Sequence, residues 1–340
     1  MAPAASGTPT VVIADYDYGD VDVERQIVEG AGFRLRALQC TSEDDLIAAG
    51  ADATAVINQY ATVGARAIAG LPRLRHIARY GVGLDIVDVD AATAARVLVT
   101  NVPADYCLDE VADHAMALLL YWARRLSVYG EAVKAGSWHW GAGAPIHRLR
   151  GSRLGILGLG QIGRAIAARA VAFGLDVVAY DPYLDPAVAE RARARLVALD
   201  ELLPTSDYVV VQTPLTEETR GWIGADTLAR MKHGAVLVNT ARGPIVDGGA
   251  LYEALRSGKL AGAALDDLPE EPAKRSSWTP ENPLLSLPNC IVTPHVAYYS
   301  EESIRYCRAF AASEVVRVLR NEQPLSPVNL DELAMNRRSA

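Results

Sequence analysis

Leu154-Gly155-Ile156-Leu157-Gly158-Leu159-Gly160-Gln161-Ile162-Gly163 is the stretch on which the fold turns. The apolar run Leu154 to Leu157 reads as a buried strand, and Ile162 to Phe173 reads as a helix stopped by Gly174. A glycine pattern alone is a weak signal, but between a strand and a helix each glycine has a task. The first permits a tight turn, the second lets the backbone approach a pyrophosphate, and the third lets helix and strand pack closely. The helix start then offers unpaired N–H groups and a positive dipole end to phosphates. Gly158, Gly160, Gln161, Ile162 and Gly163 are the expected contacts. The next strand, Val177 to Tyr180, ends at Asp181, about 20 residues on. A carboxylate there accepts hydrogen bonds from both ribose hydroxyls and repels a 2′-phosphate, so the expected cofactor is NAD rather than NADP. Arg164 reads either as a phosphate-side cation or as an exposed helix arginine.

Working outward, strands are expected at Tyr208 to Gln212, Ala235 to Asn239, Ala261 to Leu265 and Cys290 to Thr293. Helices are expected between them, with a long amphipathic one at 300–320 that has to pack elsewhere, on the N-terminal half. Toward the N-terminus a second alternation appears. Strands at 11–15, 35–38, 55–57 and 76–78 are separated by helices at 23–31, 42–50 and 63–69. Asp109 to Arg125, rich in Ala and Leu, reads as a long helix, and 136–151 as a loop. Alternation of this kind predicts an α/β protein with parallel sheets covered on both faces.

Composition agrees with a folded two-domain chain: 340 residues, 50% apolar, 22% charged. The formal net charge of -8 argues against non-specific nucleic-acid binding. MAPAASGTPT at residues 1–10 has neither a basic region nor an apolar one, so it reads as an unstructured start and not a secretory signal. No apolar run approaches the length of a membrane span; Ala115 to Trp122 is closed by Arg124 and Arg125. Cys40, Cys107, Cys290 and Cys307 form no CxxC pair, which suits reduced thiols in the cytoplasm. No metal is called for.

Three further segments follow strand ends, where ligands bind in open α/β sheets. They are Asn239-Thr240-Ala241-Arg242-Gly243, Leu265-Asp266-Asp267-Leu268-Pro269-Glu270-Glu271-Pro272, and Thr293-Pro294-His295. A guanidinium at Arg242 would grip a carboxylate with two parallel hydrogen bonds. One Arg, one Glu and one His on neighbouring strand ends can converge on one crevice. The other five histidines read as structural.

These residues, in their order and spacing, resemble the D-2-hydroxyacid dehydrogenase family. The resemblance covers nearly the whole chain. It includes Arg79-Tyr80-Gly81-Val82-Gly83 with Asp85, Glu110-Val111-Ala112, the glycine loop, Thr213-Pro214-Leu215-Thr216, Asn239 to Gly243 and Thr293 to His295. Ala179 to Tyr183 and His295 to Ser300 resemble most the branch of C-terminal-binding proteins and their bacterial relatives. The resemblance implies interconversion of a 2-oxo acid and a D-2-hydroxy acid with NAD(H). His295 would be the acid/base, oriented by Glu271, the acid directly before the proline. Arg242 would bind the substrate carboxylate, helped by the N–H groups of Val82 and Gly83 and by Arg79. Thr213, Pro214, Thr240, Ala241 and Asp266, with Arg242 and His295, would line the nicotinamide half of the cofactor site.

The resemblance also implies a Rossmann NAD domain at 106–296 inserted into a flavodoxin-like substrate domain formed by 1–105 and 297–340. Both are doubly wound parallel sheets. The active site would lie in the cleft, and closure would exclude water. A homodimer through the NAD domain is implied, with helix 109–125 and the following loop at the interface, and no extra C-terminal regulatory domain. Two positions depart from the family pattern. Asp267 stands where a small apolar residue is usual, and Tyr298 stands where Gly or Trp is usual. Tyr298 would face the substrate and suggests a polar or anionic tail. Trp138, His139 and Trp140 either reach a neighbouring subunit's site or only pack a loop.

The small anionic 2-oxo or 2-hydroxy acid reading has two competitors. One is a phosphono- or phospho-2-oxo acid reductase, since Arg79 and Arg242 both suit anions; a formate enzyme is disfavoured by Glu271. The other is an NAD(H)-sensing scaffold resembling transcriptional corepressors. No nucleic acid and no membrane is expected as a partner.

Overall fold

A computed structural model of the chain describes residues 7–269 and 280–338, with side chains as far as 334 at the C-terminal end. The chain divides into two compact units, at 106/107 and at 299/300, so that the second unit is inserted into the first.

The first unit is built on β1 (Thr10–Ile13), β2 (Arg34–Ala37), β3 (Ala53–Asn58), β4 (His76–Arg79) and β5 (Leu98–Asn101). Between them run α1 (Asp22–Gly30), α2 (Glu43–Gly50), α3 (Ala65–Gly70) and α4 (Val89–Ala94). The sheet is parallel, in the order β2-β1-β3-β4-β5, the flavodoxin-like arrangement. Val11 to Ile13 of β1 and Ala55 to Ile57 of β3 are apolar runs because helices cover both faces of the sheet.

The second unit contains α5 (Leu108–Ala123), α6 (Leu126–Lys134), β6 (Arg153–Leu157), α7 (Gln161–Ala172), β7 (Asp176–Tyr180), α8 (Pro186–Arg191), β8 (Arg195–Leu196), α9 (Leu199–Thr205) and β9 (Tyr208–Val211). It continues with α10 (Ala225–Arg230), β10 (Ala235–Asn239), α11 (Gly248–Arg256), β11 (Leu260–Leu265) and β12 (Cys290–Val292). Its parallel sheet has the order β12-β11-β10-β9-β6-β7-β8, a Rossmann sheet with one added strand. The chain reverses direction across the sheet between β6 and β9. That switch point is where a ligand crevice is expected.

The chain then returns to the first unit as α12 (Glu301–Leu319) and α13 (Leu330–Arg338). Ser300 caps α12 in a reciprocal capping box with Ser303. α12 lies against α1 and the sheet, burying Cys307, Ala311, Ala312 and Val315 among Val11, Ile13, Val28 and Ile57. A buried ion pair sits in this interface. Arg308 donates through Nε and Nη2 to both oxygens of Glu24, at 2.9 and 2.8 Å. It also bonds Asp20 Oδ1 at 2.9 Å and lies 5.1 Å over the Tyr18 ring. Burial alone would lower the Arg308 pKa, but its hydrogen bonds to Glu24 and Asp20 drive it upward. Glu24 also accepts the Tyr80 hydroxyl at 2.7 Å.

The structure departs from the sequence reading in several places. β5 was not expected, because Leu98-Val99-Thr100-Asn101 is half polar and short. Helix 109–125 ends at Ala123, and Arg125 adopts a left-handed conformation (φ 52) that starts α6 in a new direction. Residues 126–134, given no element from sequence, are that helix. Of the unstructured start, residues 1–6 lie outside the described residues, and Thr10, 3% exposed, already belongs to β1.

His76, at the start of β4, is fully buried, with Nε2 2.9 Å from Thr100 Oγ1 on β5. Burial pushes its imidazole down to about 3. An unfolded histidine protonates near 6.5, so between these values the unfolded chain holds one more proton than the folded one. Stability is therefore complete above about pH 6.5 and falls by up to about 1.4 kcal/mol per pH unit as pH drops toward 3. Chemical unfolding followed by circular dichroism at pH 7.5 and 5 should show this slope, and His76→Leu should lose it.

Candidate active site

The glycine loop connects β6 to α7 at the switch point, and its glycines are required for different reasons. Gly158 has φ 90, and a Cβ there would lie 2.8 Å from the Gln212 carbonyl oxygen beyond β9. A Cβ at Gly163 would collide with the Gly158 carbonyl oxygen. Both are demanded by the fold. At Gly160, the N-cap of α7, a Cβ would meet no protein atom within 4 Å. The fold therefore makes no demand there, and a ligand approaching the backbone does. Gly160→Ala is expected to weaken NADH binding about tenfold or more, read by fluorescence titration, while the melting temperature without cofactor stays unchanged. Equal loss of stability and affinity would contradict this division of tasks.

Asp181 stands one residue beyond β7. Its Oδ2 accepts the Leu159 N–H at 2.9 Å and its Oδ1 the Tyr183 N–H at 3.1 Å. The carboxylate is thus oriented by the glycine loop itself. Arg164 donates to the Leu159 carbonyl at 3.2 Å, so it braces the same loop. Beyond β9, the Thr213 hydroxyl is buried with no hydrogen-bond partner among the described residues. An orphaned buried hydroxyl beside open backbone N–H groups fits a bound dinucleotide.

Arg242 lies three residues beyond β10 on a turn closed by one buried side chain. Asn239, 1% exposed, donates Nδ2 to the Arg242 carbonyl (2.8 Å) and accepts the Ala241 N–H through Oδ1 (3.0 Å). Thr240, in the same turn, accepts from Gln212 Nε2. Gly243 packs so tightly on the Leu268 backbone that no Cβ would fit. The Gly243 N–H donates to Asp267 Oδ2 at 3.0 Å, so the unusual Asp267 braces the Arg242 turn.

His295 follows β12, two strands from β10, which places the two turns roughly 10 Å apart at one sheet edge. Its backbone is left-handed, φ 51, a conformation costing about 1–3 kcal/mol in a residue with a side chain. Asp266, beyond β11, holds that conformation in place. Its carbonyl accepts the His295 N–H at 2.7 Å. Its carboxylate, in a residue 2% exposed, accepts Thr293 Oγ1 at 2.5 Å and the N–H groups of Val296 and Ala297 at 3.1 and 2.8 Å. Burial raises the Asp266 pKa, but hydrogen bonds from His114, Thr293, Ala297 and Val296 outweigh it and hold the group below the ordinary carboxylate value. The His295 ring meets that of Tyr298 edge-on at 5.9 Å.

His114 on α5 was read from sequence as structural. Its Nε2 lies 3.1 Å from Thr293 Oγ1 and 3.5 Å from Asp266 Oδ1, so it completes the cluster that shapes the histidine turn. Its place on an otherwise apolar helix face was the one available signal. Glu271 lies outside the described residues.

In the first unit, Arg79 ends β4 and folds over Gly81, where a Cβ would lie 2.5 Å from the guanidinium Nη1. Arg79 Nε is buried with no hydrogen-bond partner among the described residues. Asn101 donates to the Val82 carbonyl at 2.8 Å, and Val102 to that of Gly81 at 3.2 Å, which fixes the 81–83 loop.

The second unit is thus a dinucleotide-binding Rossmann domain with an arginine and a histidine held on nearby strand ends, the architecture of a nicotinamide-dependent dehydrogenase. Residues 116–297 match the family model described as D-isomer specific 2-hydroxyacid dehydrogenase, NAD binding domain. A D-3-phosphoglycerate dehydrogenase of Mycobacterium leprae is 39% identical over 339 residues, covering 98% of this chain and 61% of its own. A glyoxylate reductase of Korarchaeum cryptofilum is 39% identical over 271 residues, covering 78% of this chain and 80% of its own. The D-lactate dehydrogenase of Aquifex aeolicus, solved with NAD and lactic acid, superposes with a TM-score of 0.83 at 28% identity, covering 92% of this chain and 96% of that one. This chain belongs to the D-isomer specific 2-hydroxyacid dehydrogenase family, and its second unit is the family's NAD-binding domain. It spans 48% to 61% of the length of phosphoglycerate dehydrogenases that it matches.

Proposed function

We propose that the chain is an NADH-dependent reductase of a 2-oxo acid, forming the D-2-hydroxy acid and running in reverse at high NAD. The observation that carries this reading is the pair of braced turns that present Arg242 and His295 at one sheet edge. Arg242 binds the substrate carboxylate and polarises the adjacent carbonyl. Arg79 and the N–H groups of Val82 and Gly83 form a second anion-binding element on the first unit. When bound, NADH supplies the hydride gained by the carbonyl carbon. His295 gives the proton gained by the carbonyl oxygen, and in the reverse direction it removes the hydroxyl proton. Glu271 is assigned the role of orienting the imidazole and stabilising its protonated form. Thr213, Pro214, Thr240 and Ala241 line the nicotinamide side, while Asp266 acts through the turn it holds.

A phospho-2-oxo acid is the second substrate reading, supported by the relatives named D-3-phosphoglycerate dehydrogenase. The test is turnover of a panel of 2-oxo acids with NADH. Tight NADH binding without turnover of any of them would favour the scaffold reading. Asp181 leads to a further expectation: kcat/KM with NADPH should fall at least a hundredfold below that with NADH. Equal use of both cofactors would overturn the role given to Asp181.

We also propose a homodimer formed through the second unit. Its support is a run of exposed apolar side chains from α6 into the following loop: Leu126 (54%), Val133 (48%), Trp138 (89%) and Trp140 (75%). Tryptophans exposed in this way are typical of interface anchors. Light scattering should give a mass near twice 36.4 kDa. Cysteines with no CxxC pair suit a cytoplasmic setting.

A further inference from the structure

Past β10 the chain makes a single 3-10 turn, Gly243–Ile245, with Arg242 in the N-cap position. Such a turn starts with N–H groups that have no partner inside it. Pro244 has no N–H, and Ile245 donates to the Arg242 carbonyl at 3.3 Å. That leaves the N–H of Gly243, a buried residue, to be satisfied from outside the turn. A Ser, Thr, Asp or Asn at the N-cap ordinarily does this. Arginine carries five donors and no acceptor, so Arg242 cannot. Asp247, the nearest carboxylate along the chain, caps α11 through the Ala250 N–H instead.

The cap comes from the neighbouring strand end. Asp267, 8% exposed and two residues past β11, accepts the Gly243 N–H through Oδ2 at 3.0 Å. Asp266, directly before it, gives its carboxylate to Thr293, Val296 and Ala297. β11 lies between β10 and β12, so two consecutive residues reach one turn each. The backbone joins the same turns. Asp266 donates its N–H to the Asn239 carbonyl at 2.9 Å, and its own carbonyl accepts the His295 N–H at 2.7 Å. A single peptide unit, about 3.8 Å from Cα to Cα, therefore ties the arginine turn to the histidine turn.

On the reading of the chain as a 2-oxo acid reductase, we propose that Asp267 is a positioning residue for Arg242. Its carboxylate caps the arginine turn from outside, and together with Asp266 it fixes the separation of guanidinium and imidazole. A 2-oxo acid must meet both groups at once, its carboxylate at Arg242 and the adjacent carbonyl oxygen at His295. The two substrate groups are on neighbouring carbons, so the spacing has little slack. A displacement of about 1 Å can cost about a hundredfold in rate. The role requires an oxygen acceptor at position 267 and does not require its charge.

Two variants separate acceptor from charge. Asp267→Val removes the acceptor, whereas Asp267→Asn keeps a side-chain oxygen able to take the same N–H. The substrate is the 2-oxo acid that the wild-type chain turns over best with NADH. Asp267→Val should lose about tenfold or more in kcat/KM, through a higher KM and a lower kcat. Its NADH affinity, read by fluorescence titration, should stay within about twofold, because the glycine loop and Asp181 hold the dinucleotide. Asp267→Asn should return kcat/KM to within about threefold of wild type. Asp267→Ala, which also lacks an acceptor, replaces Asp267→Val if the branched side chain prevents folding. A smaller loss in Asp267→Val, a loss of NADH affinity in step with kcat/KM, or an Asp267→Asn no better than Asp267→Val would each overturn this role for Asp267. Each of these leaves the reductase reading intact, whereas a wild-type chain that turns over no 2-oxo acid overturns both.

Discussion

Replacing His295 with alanine should lower kcat by about 10²–10⁴-fold, the usual contribution of a positioned acid or base. NADH affinity should barely change, because the glycine loop and Asp181 lie on other strands of the sheet. The backbone at 295 is left-handed, so alanine keeps the strain while removing the imidazole. Asparagine tolerates that conformation better, which makes His295→Asn the informative companion. If both variants lose turnover equally, the imidazole is responsible. Were asparagine to retain wild-type kcat, the proton transfer would have to be assigned elsewhere. His114→Ala should give a smaller loss, since it acts on the Thr293 and Asp266 groups that shape the turn and not on substrate.

The largest expected stability effect comes from Arg308→Met. The Glu24 carboxylate is fully buried, and removing the guanidinium leaves its charge facing the Tyr80 hydroxyl. Breaking one side of a buried ion pair costs about 3–5 kcal/mol, chiefly from the uncompensated charge. The double variant Glu24→Leu with Arg308→Met should recover most of that loss, because an apolar pair of similar volume requires no desolvated charge. The tryptophans of the described residues, Trp122, Trp138, Trp140 and Trp222, lie in the inserted unit, so their fluorescence does not report directly on this one. Hydrogen exchange of the α1 and α12 amides does. A loss of protection below about 1 kcal/mol would show that the pair is not desolvated as its burial implies. The Tyr80 side chain bonds Glu24 from the residue next to Arg79, so the single variant should also raise KM for the oxo acid.

The second unit was largely legible in the sequence because its signals are local. Strand, glycine turn, helix and acid follow each other within about 30 residues, and each obeys a steric or electrostatic rule that operates over a few bonds. Arg242 and His295 could be picked out for the same reason: each stands just past an apolar strand. The first unit was less legible. β5 is short and half polar, and it is a strand because β4 pairs with it and because Val99 donates to Asn329, 230 residues away. The α5–α6 break likewise has no proline or glycine to mark it and depends on the conformation of Arg125.

By itself, then, the sequence determined the two parallel sheets, the dinucleotide loop, its acid and the residue types at the strand ends. Only the tertiary structure decided how those residues are held. It showed that Asp266 holds the turn bearing His295, that Asp267 braces the turn bearing Arg242, and that Asp15 accepts two successive N–H groups past β3. The physical reason is range. Propensity and periodicity are written in neighbouring residues, whereas a buried carboxylate takes its meaning from the N–H groups, hydroxyls and cations that folding brings to it from tens or hundreds of residues away.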